Sequence, residues 1–155
     1  MDYRYLEDIR VGETLETHSI TVTEAEIIAF ARQFDPQPIH VDPAAATAIT
    51  GGLIASGWHT AAMTMGLFVT GQKVPLPPGT LGAGVDRLKW LQPVRPGDQL
   101  HLRVEVTAIR VSASKPDRGI VTSRFTTMNQ DGDPVQEMVS SAIVPRRPPS
   151  EAKST

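Results

Sequence analysis

The sequence contains no cysteine. Its absence excludes disulfides, thiolate nucleophiles and cysteine-ligated zinc or iron–sulfur sites. Nor is there an excess of charge of one sign: 15 basic and 17 acidic side chains leave a formal net charge of −2. That balance offers no bulk electrostatic grip on nucleic acid. No apolar run reaches the roughly 18 residues that a membrane span needs. The stretch Met1 to Gly12 carries charges throughout and lacks the apolar segment of a signal peptide. A cytoplasmic location is expected, with neither membrane nor nucleic acid as partner. Several ligand signatures are also missing: G-x-S-x-G, a phosphate loop with its lysine, and a dinucleotide glycine fingerprint. No set of histidines and carboxylates has zinc-ligand spacing, so no metal or other cofactor is expected.

What is present fits one folded domain. The chain has 155 residues, 40% apolar and 21% charged, within the usual domain range of about 50–250 residues. Its 13 prolines are clustered, at Pro75, Pro77 and Pro78 and again at Pro145, Pro148 and Pro149. The second cluster runs into a polar stretch without periodicity. The expected organisation is a domain over residues 1–146 and a disordered tail over 147–155.

The first half reads as helical. Thr23-Glu24-Ala25-Glu26 is a capping box, and Ile27, Ile28, Ala31 and Phe34 follow at helical spacing. Asp35-Pro36 ends that helix, because a residue before proline is pushed out of the helical region. Asp42-Pro43 starts a short second helix that closes near Gly51-Gly52. Gly57 to Thr70, rich in Ala, Gly and Met, reads as a helix buried nearly all round. The second half reads as strands. Leu100, Leu102, Val104, Val106 and Ala108 alternate with polar residues. Leu81 to Leu91, Ile120 to Met128 and Val135 to Val144 are further strands, the last two joined by a hairpin at Asp131-Gly132. Glu13 to Val22 is a weaker strand. Helices followed by hairpin strands give an α+β fold, one long helix against an antiparallel sheet.

Among the four histidines, His40 has the most suggestive surroundings: Asp35-Pro36-Gln37-Pro38-Ile39-His40-Val41-Asp42. Two prolines stiffen the link, so that a carboxylate and an imidazole are presented from a loop of limited freedom. Each group accepts a proton from one shared water, and an imidazole titrates near neutral pH. The bland alternative is that Asp35 merely ends a helix and His40 bonds a backbone carbonyl. Gly57 lies at the start of the long helix, where amides lack partners and face the positive end of the dipole. It is either an oxyanion hole for a carbonyl oxygen or a small residue that packing requires. His59, one turn later, is a partly buried histidine or a pocket wall; His18 and His101 read as solvated.

These residues resemble the MaoC-like dehydratases, the family of R-specific enoyl-CoA hydratases. The family signature, Asp-x-Asn-Pro-aliphatic-His-x-Asp, is matched by Asp35 to Asp42. Gly52-Leu53-Ile54-Ala55-Ser56-Gly57 is similar to the start of the family's central helix. Leu88 to Asp98 resembles its strand and turn, and the likeness covers roughly residues 8 to 146. The resemblance implies a hotdog fold: a curved antiparallel sheet wrapped around the Ala/Met-rich helix, assembled as a homodimer or higher homo-oligomer. It implies a hydratase or dehydratase that adds water across a trans-2-enoyl thioester, carried on CoA or a carrier protein, to give the (R)-3-hydroxyacyl product or the reverse. Asp35 and His40 carry over as the pair that activates water, and Gly57 as the amide that polarises the thioester carbonyl. Ser56 and Trp58 flank Gly57 and are expected to contact substrate. Trp58, Met63, Met65, Phe68 and Trp90 line either an acyl tunnel or the core. Two residues depart from the pattern: Gln37 stands where Asn is usual, and Phe34 where Gly is frequent. The competing functions are a hotdog thioesterase and a non-catalytic acyl-thioester-binding partner subunit.

Overall fold

A computed structural model describes residues 2–149. The capping box forms as read: Thr23 Oγ1 accepts from the Glu26 amide at 3.2 Å and Glu26 Oε2 from the Thr23 amide at 3.1 Å. Helix α1 (Glu24–Phe34) buries Ile27 and Ala31 and stops at Asp35, ahead of Pro36. The next segment differs from the expected loop. Pro38–Val41 is one helical turn, α2, because Pro38 sits at its first position, where a missing N–H and a fixed φ favour helix. Asp42 caps α3 (Pro43–Thr50), its Oδ1 accepting from the Ala44 and Ala45 amides, and Gly51 closes it at φ 72°. Helix α4 spans Gly57–Thr70, capped by Ser56.

Six antiparallel strands follow from the period-2 segments. They are β1 (Thr14–Glu16), β2 (Ile20–Thr21), β3 (Leu81–Trp90), β4 (Gln99–Val111), β5 (Arg118–Met128) and β6 (Pro134–Pro145). The order is β1-β4-β5-β6-β3, with β2 pairing the far end of β4. The weak strand over 13–22 is thus two short pieces sharing one neighbour. In the hairpin between β5 and β6, Gly132 takes a positive φ of 76° and Asn129 Oδ1 accepts from the Asp131 and Asp133 amides. The alternation along β4 holds for Leu100, Leu102, Val104 and Val106 but not for Ala108, which is exposed. A bulge between Val106 and Ala108 slips the phase by one, so Ile109 packs inward instead.

The core lies between α4 and the concave face of the sheet, centred on Val22, Ile27, Leu67, Leu100, Leu102 and Phe125. One expectation needs correction: α4 is not buried all round. His59, Thr60, Thr64 and Leu67 are buried, whereas Trp58, Met65 and Val69 are exposed. A lone helix on one sheet covers a single stripe, and the opposite stripe of α4 has no partner among the described residues. Strand β3 is likewise open, an edge strand exposing Leu81 and Val85. At the other end Arg147 pairs with Asp8 at 2.6 Å and lies over the Tyr5 ring, while Arg146 pairs with Glu7. Of the expected tail, residues 150–155 lie outside the described residues. No helix among the described residues is long and apolar enough to cross a membrane.

Candidate active site

Three helix termini meet at one point. Asp35 is the C-cap of α1, His40 lies in α2, and Ser56 and Gly57 open α4. The cap at Asp35 and the proline-started turn of α2 bring the carboxylate and imidazole together: His40 Nε2 stands 3.4 Å from Asp35 Oδ2. His40 is buried, and its Nδ1 lies 2.7 Å from the Ile54 carbonyl. A carbonyl only accepts, so Nδ1 carries the hydrogen and the Nε2 lone pair of the neutral ring faces Asp35. His40 thus bonds a backbone carbonyl through one ring nitrogen and faces Asp35 with the other.

Asp35 is held from two sides. The Ser56 hydroxyl donates to Oδ2 at 2.7 Å and the Gln37 amide donates to Oδ1 at 2.7 Å. The Ser56 bond, then the Gln37 bond, outweigh desolvation and hold the Asp35 carboxyl below the usual carboxylate range; protonation of His40 adds a charge that acts in the same direction. Gln37, the departure from the family pattern, thus has a visible task. Its extra methylene lets the side chain double back onto the carboxylate two residues earlier. Phe34, the other departure, is exposed and packs its ring on Phe30 at 5.0 Å.

Ser56 is fully buried and its hydroxyl is committed, donating to Asp35 while accepting from the Trp58 amide as cap of α4. The Gly57 amide has no acceptor among the described residues. It belongs to the first turn of α4, so it faces outward with the positive end of the helix dipole. Space at Gly57 is closed by Trp90: a Cβ there would run into the indole ring. Packing therefore requires glycine, and the same requirement leaves the amide open. Trp58 is exposed and meets Trp90 edge to face at 5.2 Å. His59 is not part of this cluster. It stacks on Phe30 at 4.6 Å, and burial lowers its pKa below the ordinary 6.5.

A cavity of about 750 Å³ opens further along α4. Met65, Phe68 and Val69 form its helix side and Val104, Phe125 and Ala142 its sheet side. At 1.5 Å per residue, Met65 lies about 12 Å along the axis from Gly57. Of the residues read as tunnel or core, Met65 and Phe68 line this cavity, Met63 packs against the core, and Trp58 and Trp90 stand at the mouth of α4. Sequence reasoning missed the cavity, because residues 72–80, which close one side, have no periodic pattern.

Comparison with known proteins agrees with this geometry. Residues 8–129 match the MaoC-like domain family. A curated relative, the uncharacterized protein YdeM of Bacillus subtilis, is 30% identical over 146 residues, covering 91% of this chain and 99% of its own. The crystal structure of the MaoC-like dehydratase from Rhodospirillum rubrum superposes with a TM-score of 0.87 at 49% identity, covering 94% and 99% of the two chains. The (R)-hydratase from A. caviae involved in PHA biosynthesis superposes with a TM-score of 0.70 at 29% identity, covering 90% and 99%. The curved sheet around α4 is the hotdog fold of these neighbours.

Proposed function

The chain belongs to the MaoC-like domain family, and from that premise we propose that it is a hydratase acting on trans-2-enoyl thioesters. One observation carries the reading: two acceptors, Asp35 Oδ2 and His40 Nε2, converge at 3.4 Å beside the Gly57 amide, which has no acceptor among the described residues. Two lone pairs facing each other are not a hydrogen bond; they are a seat for one water that donates to both. The A. caviae neighbour, an (R)-hydratase, supports the same chemistry and the (R) product.

The steps follow from the proton inventory. Asp35 is ionised and a weak base, so it orients the water, and the imidazole, the stronger base of the two types, takes its proton at Nε2. The water oxygen bonds to C3, and the C2–C3 π electrons shift toward the thioester carbonyl. The developing negative charge on that oxygen meets the Gly57 N–H at the helix N-terminus, a donor fixed before the reaction starts. The imidazolium then returns its proton to C2. One water has been added, and both side chains end in the state in which they began. Ser56 and Gln37 act by holding Asp35 in place, Trp58 flanks the entrance, and the apolar cavity beyond Met65 houses the acyl chain.

The assembly proposed is a homodimer that covers the open stripe of α4 and the β3 edge. A thioesterase would use the same water against the carbonyl carbon; the likeness to an (R)-hydratase favours attack at C3 instead. The test offers trans-2-enoyl-CoA substrates of increasing chain length, with chiral analysis of the product. (R)-3-hydroxyacyl-CoA supports the reading; free CoA and a fatty acid overturn it.

A further inference from the structure

We propose that Gln136 is a positioning residue for the Gly57 amide, acting through the indole of Trp90. The catalytic task of that amide rests on the hydratase reading above; the way the amide is held does not. Trp90 ends β3 and its ring occupies the space beside Gly57, so the ring defines one wall of the approach to the amide. The ring is itself partly exposed at 46%. Its N–H bonds Gln136 Oε1 at 3.0 Å.

The hydrogens of this cluster can all be assigned. An indole N–H only donates, so the Gln136 oxygen must face Trp90 and the Gln136 NH2 must face Thr64, whose Oγ1 it reaches at 3.0 Å. Thr64 Oγ1 also lies 2.9 Å from the Thr60 carbonyl, which only accepts, so the Thr64 hydrogen points there. Thr127 Oγ1, 2.7 Å away, is therefore the donor to Thr64. The Thr64 hydroxyl gives one bond and takes two, which is its full capacity. Turning the Gln136 amide over would set NH2 against N–H at Trp90 and set the Gln136 oxygen against a Thr64 oxygen whose hydrogen is already given to Thr60.

Gln136 and Thr127 are fully buried, among Val135, Leu67 and Phe125. A saturated polar cluster in an apolar core adds less to stability than to uniqueness of geometry, since apolar side chains would pack the same space at no desolvation cost. What the cluster specifies is a closed path: from α4 at Thr60 and Thr64, through Gln136, to the indole resting on the first residue of α4. Among the described residues the Trp90 N–H has no other partner. The adjoining β3 backbone is irregular, with a register shift between Asp86 and Lys89 and Arg87 at φ 57°. Regular pairing resumes at Lys89 and Trp90, which sits opposite Gln136, so the two side chains meet across the strands and their bond sets the orientation of the ring.

The test uses Gln136→Met, which keeps length and volume but removes the acceptor, and Trp90→Phe, which removes the donor at a partly exposed site and spares the buried cluster. Two readouts are needed: the backbone amide resonance of Gly57 in an isotope-labelled sample, and steady-state hydration of an enoyl-CoA. The proposal expects the Gly57 resonance to shift in both variants. It expects kcat to fall ~10-fold, the size of a modest misplacement, with KM within about two-fold of wild type. The double variant should be no worse than the worse single, because both changes break one bond. An unmoved Gly57 resonance overturns the proposal, as does a lowered Tm with unchanged kcat, which would make Gln136 structural only. Should the wild type hydrate nothing, the functional reading fails while the Gly57 resonance still decides how the amide is held.

Discussion

The Ser56 hydroxyl donates to Asp35 Oδ2 at 2.7 Å while its oxygen accepts from the Trp58 amide at 3.3 Å. A single side chain thus fixes the carboxylate and the helix start that carries the Gly57 amide, the proposed oxyanion donor. The largest cause of the lowered Asp35 pKa is this bond. In Ser56→Ala the carboxyl pKa rises, so the acid limb of the rate profile moves to higher pH. Loss of the cap also costs about 1 kcal/mol of stability. A pH–rate profile together with thermal melts checks both effects; an unshifted acid limb would show that Ser56 does not govern Asp35.

Gly57→Ala sets a methyl group against Trp90, whose ring must move. Turnover is expected to fall ~10- to 10²-fold through misplacement of the oxyanion donor. Gly57→Ala combined with Trp90→Ala should regain part of the loss, because the clash is gone while the amide remains. A double variant no better than Gly57→Ala alone would show that steric conflict is not the cause.

His59 is buried against Phe30, and burial favours its neutral form. Its folded pKa lies below the unfolded value, so the unfolded state binds the proton first. The associated stability is complete above pH about 6.5 and is lost as pH falls from there through the folded pKa. Glu26 opposes the shift weakly. Thermal melts between pH 7 and 5 should show a falling Tm in the wild type and a flatter dependence in His59→Phe. Identical slopes would remove His59 from the account.

The open β3 edge and the exposed stripe of α4, with Leu81, Val85 and Met65 above 40% exposure, predict self-association. Val85→Glu should shift the protein from dimer toward monomer in sedimentation at micromolar concentration. A wild type that sediments as a monomer contradicts the proposed assembly.

Much of this was legible in the residues. Thr23-Glu26, Asp42-Pro43 and Ser56-Gly57 mark helix starts by capping chemistry, which is local, so α1, α3 and α4 begin where their sequences say. The motif from Asp35 to Asp42 names the carboxylate and imidazole that the fold brings to 3.4 Å, the pair proposed for acid–base work. Three features were hidden because they depend on distant partners. The phase slip at Val106 is a bulge set by pairing with β5. The exposed half of α4 depends on how much sheet is available to cover it. Gln136, adjacent to buried Val135, breaks the in-out alternation, and only the Trp90 N–H and Thr64, 46 and 72 residues away in sequence, explain why a polar side chain stands inside.

The central claim is that Asp35 and His40 direct a water to C3 of an enoyl thioester. It is tested most directly by mixing wild type and Asp35→Asn with crotonyl-CoA and following enoyl absorbance, with a thiol reagent reporting free CoA in parallel. The account predicts loss of enoyl absorbance without thiol release, and a rate at least ~10²-fold lower in Asp35→Asn, the usual scale for a general acid–base group. Thiol release by the wild type, or a variant within a few-fold of it, would contradict the account.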